Sequence, residues 1–266
     1  MVLSLMGYSQ GVNNLWLLGV ETVLDPYTTS TKATVDFSSG SPNIIPTNRK
    51  MKFFETEGNI ADINGNLLIS SNGIWIANAF GDTMLNGSGL NPSPFTNSWS
   101  NYGLPIPNGN VILPYPGDST KYILFHMTAN TGANLMATEL YYTVIDMTLD
   151  GGFGGVILKN QIAIQDTLSW GIGCCKHANG RDWWVTVLKD GTDIVHNLLL
   201  TPNGIDTILT QNLMVPPHLH CGTQPVFSPD GKKFAYVYSI GSIWIFNARI
   251  FDFDRCSGIF FESDIY

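Results

Sequence analysis

The chain has 266 residues, 44% of them hydrophobic, enough for one large β domain with a substantial core or for two small ones. Its 13 Lys plus Arg against 21 Asp plus Glu give a net charge of −8 with no run of basic residues, which argues against nucleic acid and against an anionic membrane surface as partners. The 27 Gly, 14 Pro and 12% aromatic residues point to many short strands joined by tight turns, an all-β chain.

In chain order, residues 1–9 join a short apolar run to small residues and read as the remnant of a signal peptide, with an edge strand over Val2–Met6 as the alternative. Residues 10–266 then form a single domain. No later run approaches the roughly 18 apolar residues of a membrane span. Four units follow, each an apolar run, a turn, a richer run and a third strand. Their turns are Asp62-Ile-Asn-Gly-Asn66, Tyr115-Pro-Gly-Asp118, Asn179-Gly-Arg-Asp182 and Ser228-Pro-Asp-Gly231. Successive turn glycines at 65, 117, 180 and 231 are 52, 63 and 51 residues apart, close to one four-stranded propeller blade each plus loop insertions.

The first unit runs through Gly58–Asp62, Leu67–Ser70 and Ile74–Ile76. Its turn places oxygen side chains at Asp62, Asn64 and Asn66, as a calcium loop begins, but lacks the distal glutamate of an EF-hand and is equally explained as a hairpin. The stretch from Ala79 to Asn110, with Phe95, Trp99 and Tyr102 among Asn, Ser, Gly and Pro, is too long for an ordinary connection. It reads as a loop that shields the blade edge, or as one whose Trp99 and Tyr102 stack on sugar rings. The second unit comprises Val111–Leu113, Lys121–Met127 and Glu139–Asp146, its Tyr141-Tyr142 pair lying on a third strand where rings fill between stacked sheets.

The third unit is the richest in functional groups: Cys174-Cys-Lys-His-Ala-Asn-Gly-Arg-Asp-Trp-Trp184. Here Cys174–Ala178 reads as the innermost strand, Asn179-Gly180 as a two-residue hairpin and Trp183–Leu188 as the second strand. Strand alternation sets Lys176 against Cys175 and His177, so either the lysine or the histidine lines the central channel. His177, Arg181 and Asp182 are expected to brace the blade by hydrogen bonds; the competing reading makes Lys176, His177, Asn179, Arg181 and Asp182 a ligand site. His218, His220 and Cys221, with Cys174, Cys175 or His177, offer zinc-ligand types, but His-x-His and vicinal Cys-Cys are poor zinc spacings. Cys221 with Cys174 or Cys175 is the disulfide to expect if the chain is exported, buried free thiols being the alternative. The last unit runs through Gln224–Tyr238, Ser242–Phe246 and Ile250–Asp254 around its Pro-Asp-Gly turn.

The segments Gly11–Gly19, Val35–Gly40, Met84–Leu90, Cys175–Trp184 and Phe227–Gly231 resemble those of secreted, largely uncharacterised proteins of Bacteroidetes that carry a WD- or TolB-like β-propeller. The resemblance implies export and often attachment at the cell surface, since members commonly end in a type IX secretion sorting tail. Here the sequence stops at Tyr266 without closing blades or such a tail. The expectation is therefore an incomplete propeller of about four blades, truncated at its C-terminus, with a small closed four-bladed ring as the alternative.

Motifs for chemistry are few: there is no Gly-x-Ser-x-Gly elbow, no phosphate-cradling Gly-x-x-x-x-Gly-Lys and no His-Glu-x-x-His. The sequence thus reads as a non-catalytic secreted or cell-surface module that binds a glycan or a protein, without a cofactor unless calcium or zinc occupies the sites above. A polysaccharide-acting hydrolase or lyase and a structural subunit of an adhesin or filament are the alternatives.

Overall fold

A computed structural model describes residues 14–19, 32–130, 136–213, 224–239 and 246–263. The leader at 1–9, the Pro216–Cys221 cluster with its zinc and disulfide readings, residues 242–245 of the last unit and the final three residues lie outside the described residues. Almost every described element is a strand, and consecutive strands pair antiparallel in simple up-and-down order.

The four expected units are each four-stranded. They are β4 (Gly58–Ala61), β5 (Leu67–Ser71), β6 (Trp75–Ala77) and β7 (Thr83–Ser88); β8 (Asn110–Pro114), β9 (Lys121–Met127), β10 (Ala137–Asp146) and β11 (Gly155–Leu168); β12 (Gly173–Lys176), β13 (Trp183–Leu188), β14 (Ile194–Thr201) and β15 (Gly204–Asn212); and β16 (Gln224–Phe227), β17 (Lys233–Ser239), β18 (Phe246–Asp254) and β19 (Ile259–Glu262). A three-stranded sheet, β1 (Leu15–Leu18), β2 (Ala33–Asp36) and β3 (Asn43–Pro46), precedes them. A parallel bridge between Leu85 and Gly155 joins the outer strands of the first two four-stranded units into one eight-stranded sheet.

The period of two along each strand is what stacks these sheets as blades. In the blade of β8–β11, Ile112, Leu124 and Ile145 pack into a cluster with Ile60, Ile69 and Ile76 of the preceding blade. Their neighbours Leu113, Ile123, Phe125 and Val144 point the other way and pack with Val185, Val187, Leu198 and Leu200 of the following blade. In that following blade Cys175 and Trp184 turn away again, to meet Phe234, Phe251, Phe253 and Phe260 of the last one. Leu17 of the three-stranded sheet packs with Met51, Phe53 and Ala77. Each large side chain so buried contributes roughly 1.5–3 kcal/mol, so every blade is held chiefly by its neighbours.

Three boundaries differ from the sequence reading. The stretch 79–110 is not one long loop: it contains β7 and a short helix, α1 (Pro94–Ser98). β7 escapes a hydrophobic-pattern search because it reads Thr-Met-Leu-Asn-Gly-Ser, with only Met84 and Gly87 buried and Asn86 in the left-handed region at φ 57°. α1 is started by the Ser93 hydroxyl, which accepts the Thr96 N–H at 3.0 Å, and it seats Phe95 in the core with Leu104 and Ile106. The third-unit turn is also longer than a two-residue hairpin. β12 ends at Lys176, His177 N–H bonds Asp182 O at 2.9 Å, and Gly180 N–H bonds His177 O at 2.9 Å. Only Gly180, at φ 73°, adopts positive φ. The same three-residue closure recurs at Asp62–Gly65 and Ser228–Gly231. Finally, β18 is one strand through Asp254, and the chain continues into a fourth strand at Ile259–Glu262.

Candidate ligand-binding cavity

The inner strands β1, β4, β8 and β12 surround a cavity of about 580 Å³ at the hub of the blades. Leu15, Ile60, Ile112 and Leu113 give it apolar walls, and Trp16 and Trp183 supply rings. Its polar groups are Glu57, Asn59, Asn110 and Lys176.

The two asparagines are placed by backbone contacts between sheets. Asn59 Nδ2 donates to Leu15 O at 2.9 Å, tying β4 to β1. Asn110 Nδ2 donates to Ser71 O at 3.0 Å, tying β8 to β5. The Asn110 carboxamide fills the space over Gly58, where a Cβ would come within 2.2 Å of its Oδ1. That close approach is why the first residue of β4 is glycine. Lys176 stretches over Trp183 with Nζ 3.7 Å from the ring centroid and donates to Arg181 O at 3.0 Å. The Trp183 indole N–H in turn donates to Pro114 O at 3.1 Å, which fixes the ring. Trp16, by contrast, is 54% exposed and touches Phe37 edge-on.

Two acceptor oxygens of these residues, Glu57 Oε1 and Asn110 Oδ1, are sealed from solvent and receive no hydrogen bond from the described residues. Leaving a buried acceptor so costs about 1–3 kcal/mol, and native interiors hold few of them. Burial pushes the Glu57 carboxyl up to about 7, against the opposing effects of the Leu17 backbone hydrogen bond and the charge of Arg49. Arg49 is held near by bonds to Ala33 O at 3.1 Å, Thr47 Oγ1 at 3.0 Å and Leu18 O, and burial lowers it to about 10. Burial also lowers the Lys176 ammonium and raises the Cys174 and Cys175 thiols to about 12, so both cysteines are neutral, unreactive thiols.

Of the five residues singled out in the third unit, only Lys176 lines the cavity. The others are gathered in the turn at its rim. Asp182 is buried and accepts from Arg181 Nε at 2.7 Å, Arg181 Nη2 at 3.0 Å and Asn179 Nδ2 at 2.7 Å, while Asn179 Oδ1 accepts the N–H groups of Arg181 and Asp182 at 3.0 Å. The Arg181 bond holds the Asp182 carboxyl below its ordinary value. His177 Nδ1 accepts the Asn179 N–H at 3.1 Å, so its Nε2 carries the proton and donates to Cys256 O at 3.1 Å in the next blade. This is the geometry of a brace between blades, with the Asp182 carboxylate, the Asn179 carboxamide and both nitrogens of His177 engaged.

Asp62, Asn64 and Asn66 come together in their turn, but the Asp62 carboxylate is taken up by the chain itself. Oδ1 accepts the Asn64 and Asn66 N–H groups at 2.8 Å and Oδ2 accepts Asn66 Nδ2 at 3.0 Å, which lowers its pKa. Among the described residues no three His, Cys, Asp or Glu side chains converge on one point. Trp99 packs half-buried between Phe54, 5.1 Å away, and Phe95, while Tyr102 is exposed beneath Lys52. These two rings lie outside the lining of the hub cavity.

Sequence reasoning passed over Glu57, Asn110 and Trp16. The available signal was positional: Glu57 immediately precedes an inner strand and Asn110 begins one, in a chain where charge is scarce.

The sheets and the hub they enclose define a β-propeller protein, on the evidence of its own strand order. No family model and no curated protein matches the chain. Among solved structures it is similar to a triple arginine-to-alanine mutant of AofleA from Arthrobotrys oligospora, at 9% identity and a TM-score of 0.44, over 86% of this chain and 62% of that one. It is also similar to a candidate 6-phosphogluconolactonase from Bacteroides uniformis, at 12% identity and a TM-score of 0.44, over 92% and 80% of the two chains. TolB from Acinetobacter baumannii matches at 12% identity and a TM-score of 0.31, over 94% and 57%. The chain thus spans less than two thirds of AofleA and of TolB. No helix among the described residues is long and apolar enough to cross a membrane.

Proposed function

We propose that the protein is a non-catalytic binding module of a secreted or cell-surface system, and that its ligand sits in the hub cavity. The observation that carries this reading is the cavity of about 580 Å³ at the hub, with apolar walls, the half-exposed Trp16 ring and the Lys176 side chain among its lining. A concave space of this size, mostly apolar with a few polar side chains, is the usual form of a small-molecule site.

The neutral-range carboxyl of Glu57 favours a second reading, an extracellular hydrolase or lyase with Glu57 as proton donor. Against it, glycoside hydrolysis uses two carboxyl groups flanking one bond, and Glu57 is the single acidic residue among those lining the cavity. A structural role in an assembly draws support from the apolar face that the last blade leaves open at Val226, Ile250 and Phe261.

Purified protein screened against glycan and peptide arrays, with product analysis of every glycan that binds, tests the proposal. Saturable binding without turnover is expected. Turnover that disappears in Glu57→Gln would transfer the protein to the enzymes, and concentration-dependent assembly in light scattering without any ligand would favour the structural role.

A further inference from the structure

We infer that the hub cavity takes an organic acid with an apolar body, its carboxylate on the Lys176 ammonium and its apolar part against the open ring of Trp16 and the aliphatic wall of Leu15, Ile60 and Ile112. The inference rests on the binding reading above and adds to it the ligand's charge and the two side chains that select it. Free aliphatic or aromatic acids and the C-terminus of a peptide ending in an apolar residue share this chemistry.

Charge comes first. The chain as a whole carries a net charge of −8, yet the charge that the hub offers a ligand is positive. Lys176 is partly exposed, and Nζ gives one of its three N–H groups to Arg181 O, which leaves donors for a ligand. Asp182, whose charge reaches this ammonium, is already held by Arg181 and Asn179. Glu57, the acid of the lining, has Oε1 sealed from solvent and the Arg49 charge acting on it. A cation therefore meets Lys176 with nothing to offset it, whereas a carboxylate gains a charge-assisted hydrogen bond in a partly desolvated space.

The walls decide the rest of the molecule. Asn59 Nδ2 and Asn110 Nδ2 are used on backbone oxygens of neighbouring strands, and Asn110 Oδ1 lies over Gly58, closed to a ligand. A hydroxyl-rich ligand would exchange water for aliphatic side chains that return no hydrogen bond. Leu15, Ile60, Ile112 and Leu113 suit an alkyl chain or a phenyl ring instead. Trp183 is fixed by its bond to Pro114 O and has one face covered by Lys176. Trp16, touched edge-on by Phe37, remains more than half exposed and supplies the free aromatic surface. A volume of about 580 Å³ falls in the range of roughly 300–1,000 Å³ typical of small-molecule sites.

The test is titration calorimetry of the full chain at pH 7 with octanoate and 4-phenylbutyrate, each beside its neutral amide. Octylamine and methyl glucoside serve as comparators, and N-acetyl-leucyl-phenylalanine with a free or an amidated C-terminus separates the two sources of the carboxylate. An acid should bind about tenfold or more tighter than its amide. Lys176→Met, which keeps an apolar stem over Trp183, should erase that difference. Trp16→Ala should weaken acid and amide alike by about tenfold, as loss of a central aromatic contact does. Trp99→Ala should change neither. Folding of the variants is checked by their unfolding transitions, with Lys176→Gln to replace Lys176→Met if the latter does not fold; the acid-to-amide ratio of the wild type needs no variant. Tight binding of the free-C-terminus peptide in place of the small acids keeps the inference and assigns the carboxylate to a protein. Amide, amine or glucoside binding as tight as the acid overturns it, as does an acid preference that survives loss of the Lys176 charge, and both leave the binding reading intact. Failure of every probe and of the arrays removes both.

Discussion

Two titratable side chains, the fully buried His126 and the partly buried Glu57, lie at the seams of the same propeller and are treated in opposite ways. His126 on β9 is fully buried between the β4–β7 and β8–β11 blades; its Nδ1 bonds Asn91 Oδ1 at 2.7 Å and its Nε2 bonds Thr143 Oγ1 at 2.9 Å. The Asn91 oxygen only accepts, so Nδ1 carries the proton and Nε2 accepts from the threonine, whose oxygen also receives the Asn160 N–H at 3.2 Å. Asn91 Nδ2 continues the chain to Gly73 O at 3.0 Å, and Tyr141 stacks on the imidazole. Nothing is left over, and burial drives the imidazole down to about 3, so it stays neutral. Glu57 is partly buried, its Oε1 receives no hydrogen bond from the described residues, and burial pushes its carboxyl up to about 7. A complete network holds blades together, whereas a carboxyl only partly satisfied carries its burial as a raised pKa.

The contrast can be broken most directly at the seam. His126→Ala strips two hydrogen bonds and leaves a void, and should destabilise the protein by about 3–4 kcal/mol in denaturant unfolding while leaving ligand binding intact in the folded fraction.

The pH dependence sharpens it, because the two groups act with opposite sign. The His126 pKa is lowered on folding, so between about 6.5 and 3 the unfolded chain holds the extra proton and stability falls as pH falls. The Glu57 pKa is raised from 4.5 to about 7, so in that interval the folded chain holds the extra proton and stability falls as pH rises. Between about pH 4.5 and 6.5 the two slopes, each about 1.4 kcal/mol per pH unit at most, oppose one another. The wild type should therefore show a flat stretch there in thermal or urea unfolding. Glu57→Gln should replace it with a loss of up to about 3 kcal/mol on acidification, and should be more stable than wild type above pH 8, where it removes a buried carboxylate. A flat profile in Glu57→Gln would show that the glutamate is not the opposing group.

Gly58→Ala should lower stability by about 1–3 kcal/mol and weaken ligand binding together, since its Cβ would displace the Asn110 oxygen by overpacking. Arg181→Ala should be the mildest. The arginine is largely exposed and Asp182 retains Asn179, so a loss of stability barely above the error of the same assays, with unaltered binding, is expected.

How much of this was readable in advance follows from the range of each interaction. The turns at Asp62–Gly65 and Ser228–Gly231 were visible because a few consecutive residues fix the backbone there. The rings of Phe251 and Phe253 could be assigned to a third strand between stacked sheets because alternation is a local pattern. β7 was not visible, since a strand with two buried residues and a left-handed asparagine carries almost no pattern of its own. Its position is set by β6 and by the Asn86 and Lys159 bonds to the neighbouring blade.

The site shows the same division. The cluster of functional groups in Cys174–Trp184 drew attention by composition, yet the fold spends His177, Asn179, Arg181 and Asp182 on one turn and its contact with Cys256, and turns only Cys174, Lys176 and Trp183 toward the hub. Trp16, Glu57, Asn110 and Lys176, spread over 160 residues of sequence, became neighbours of one cavity only when four inner strands were brought around a common centre. The sequence by itself determined the blades, because strand alternation and turn chemistry act over a few residues. Which side chains line the hub and which are spent on braces between blades was decided by the tertiary structure, because packing and hydrogen bonding at the hub join residues that the sequence keeps far apart.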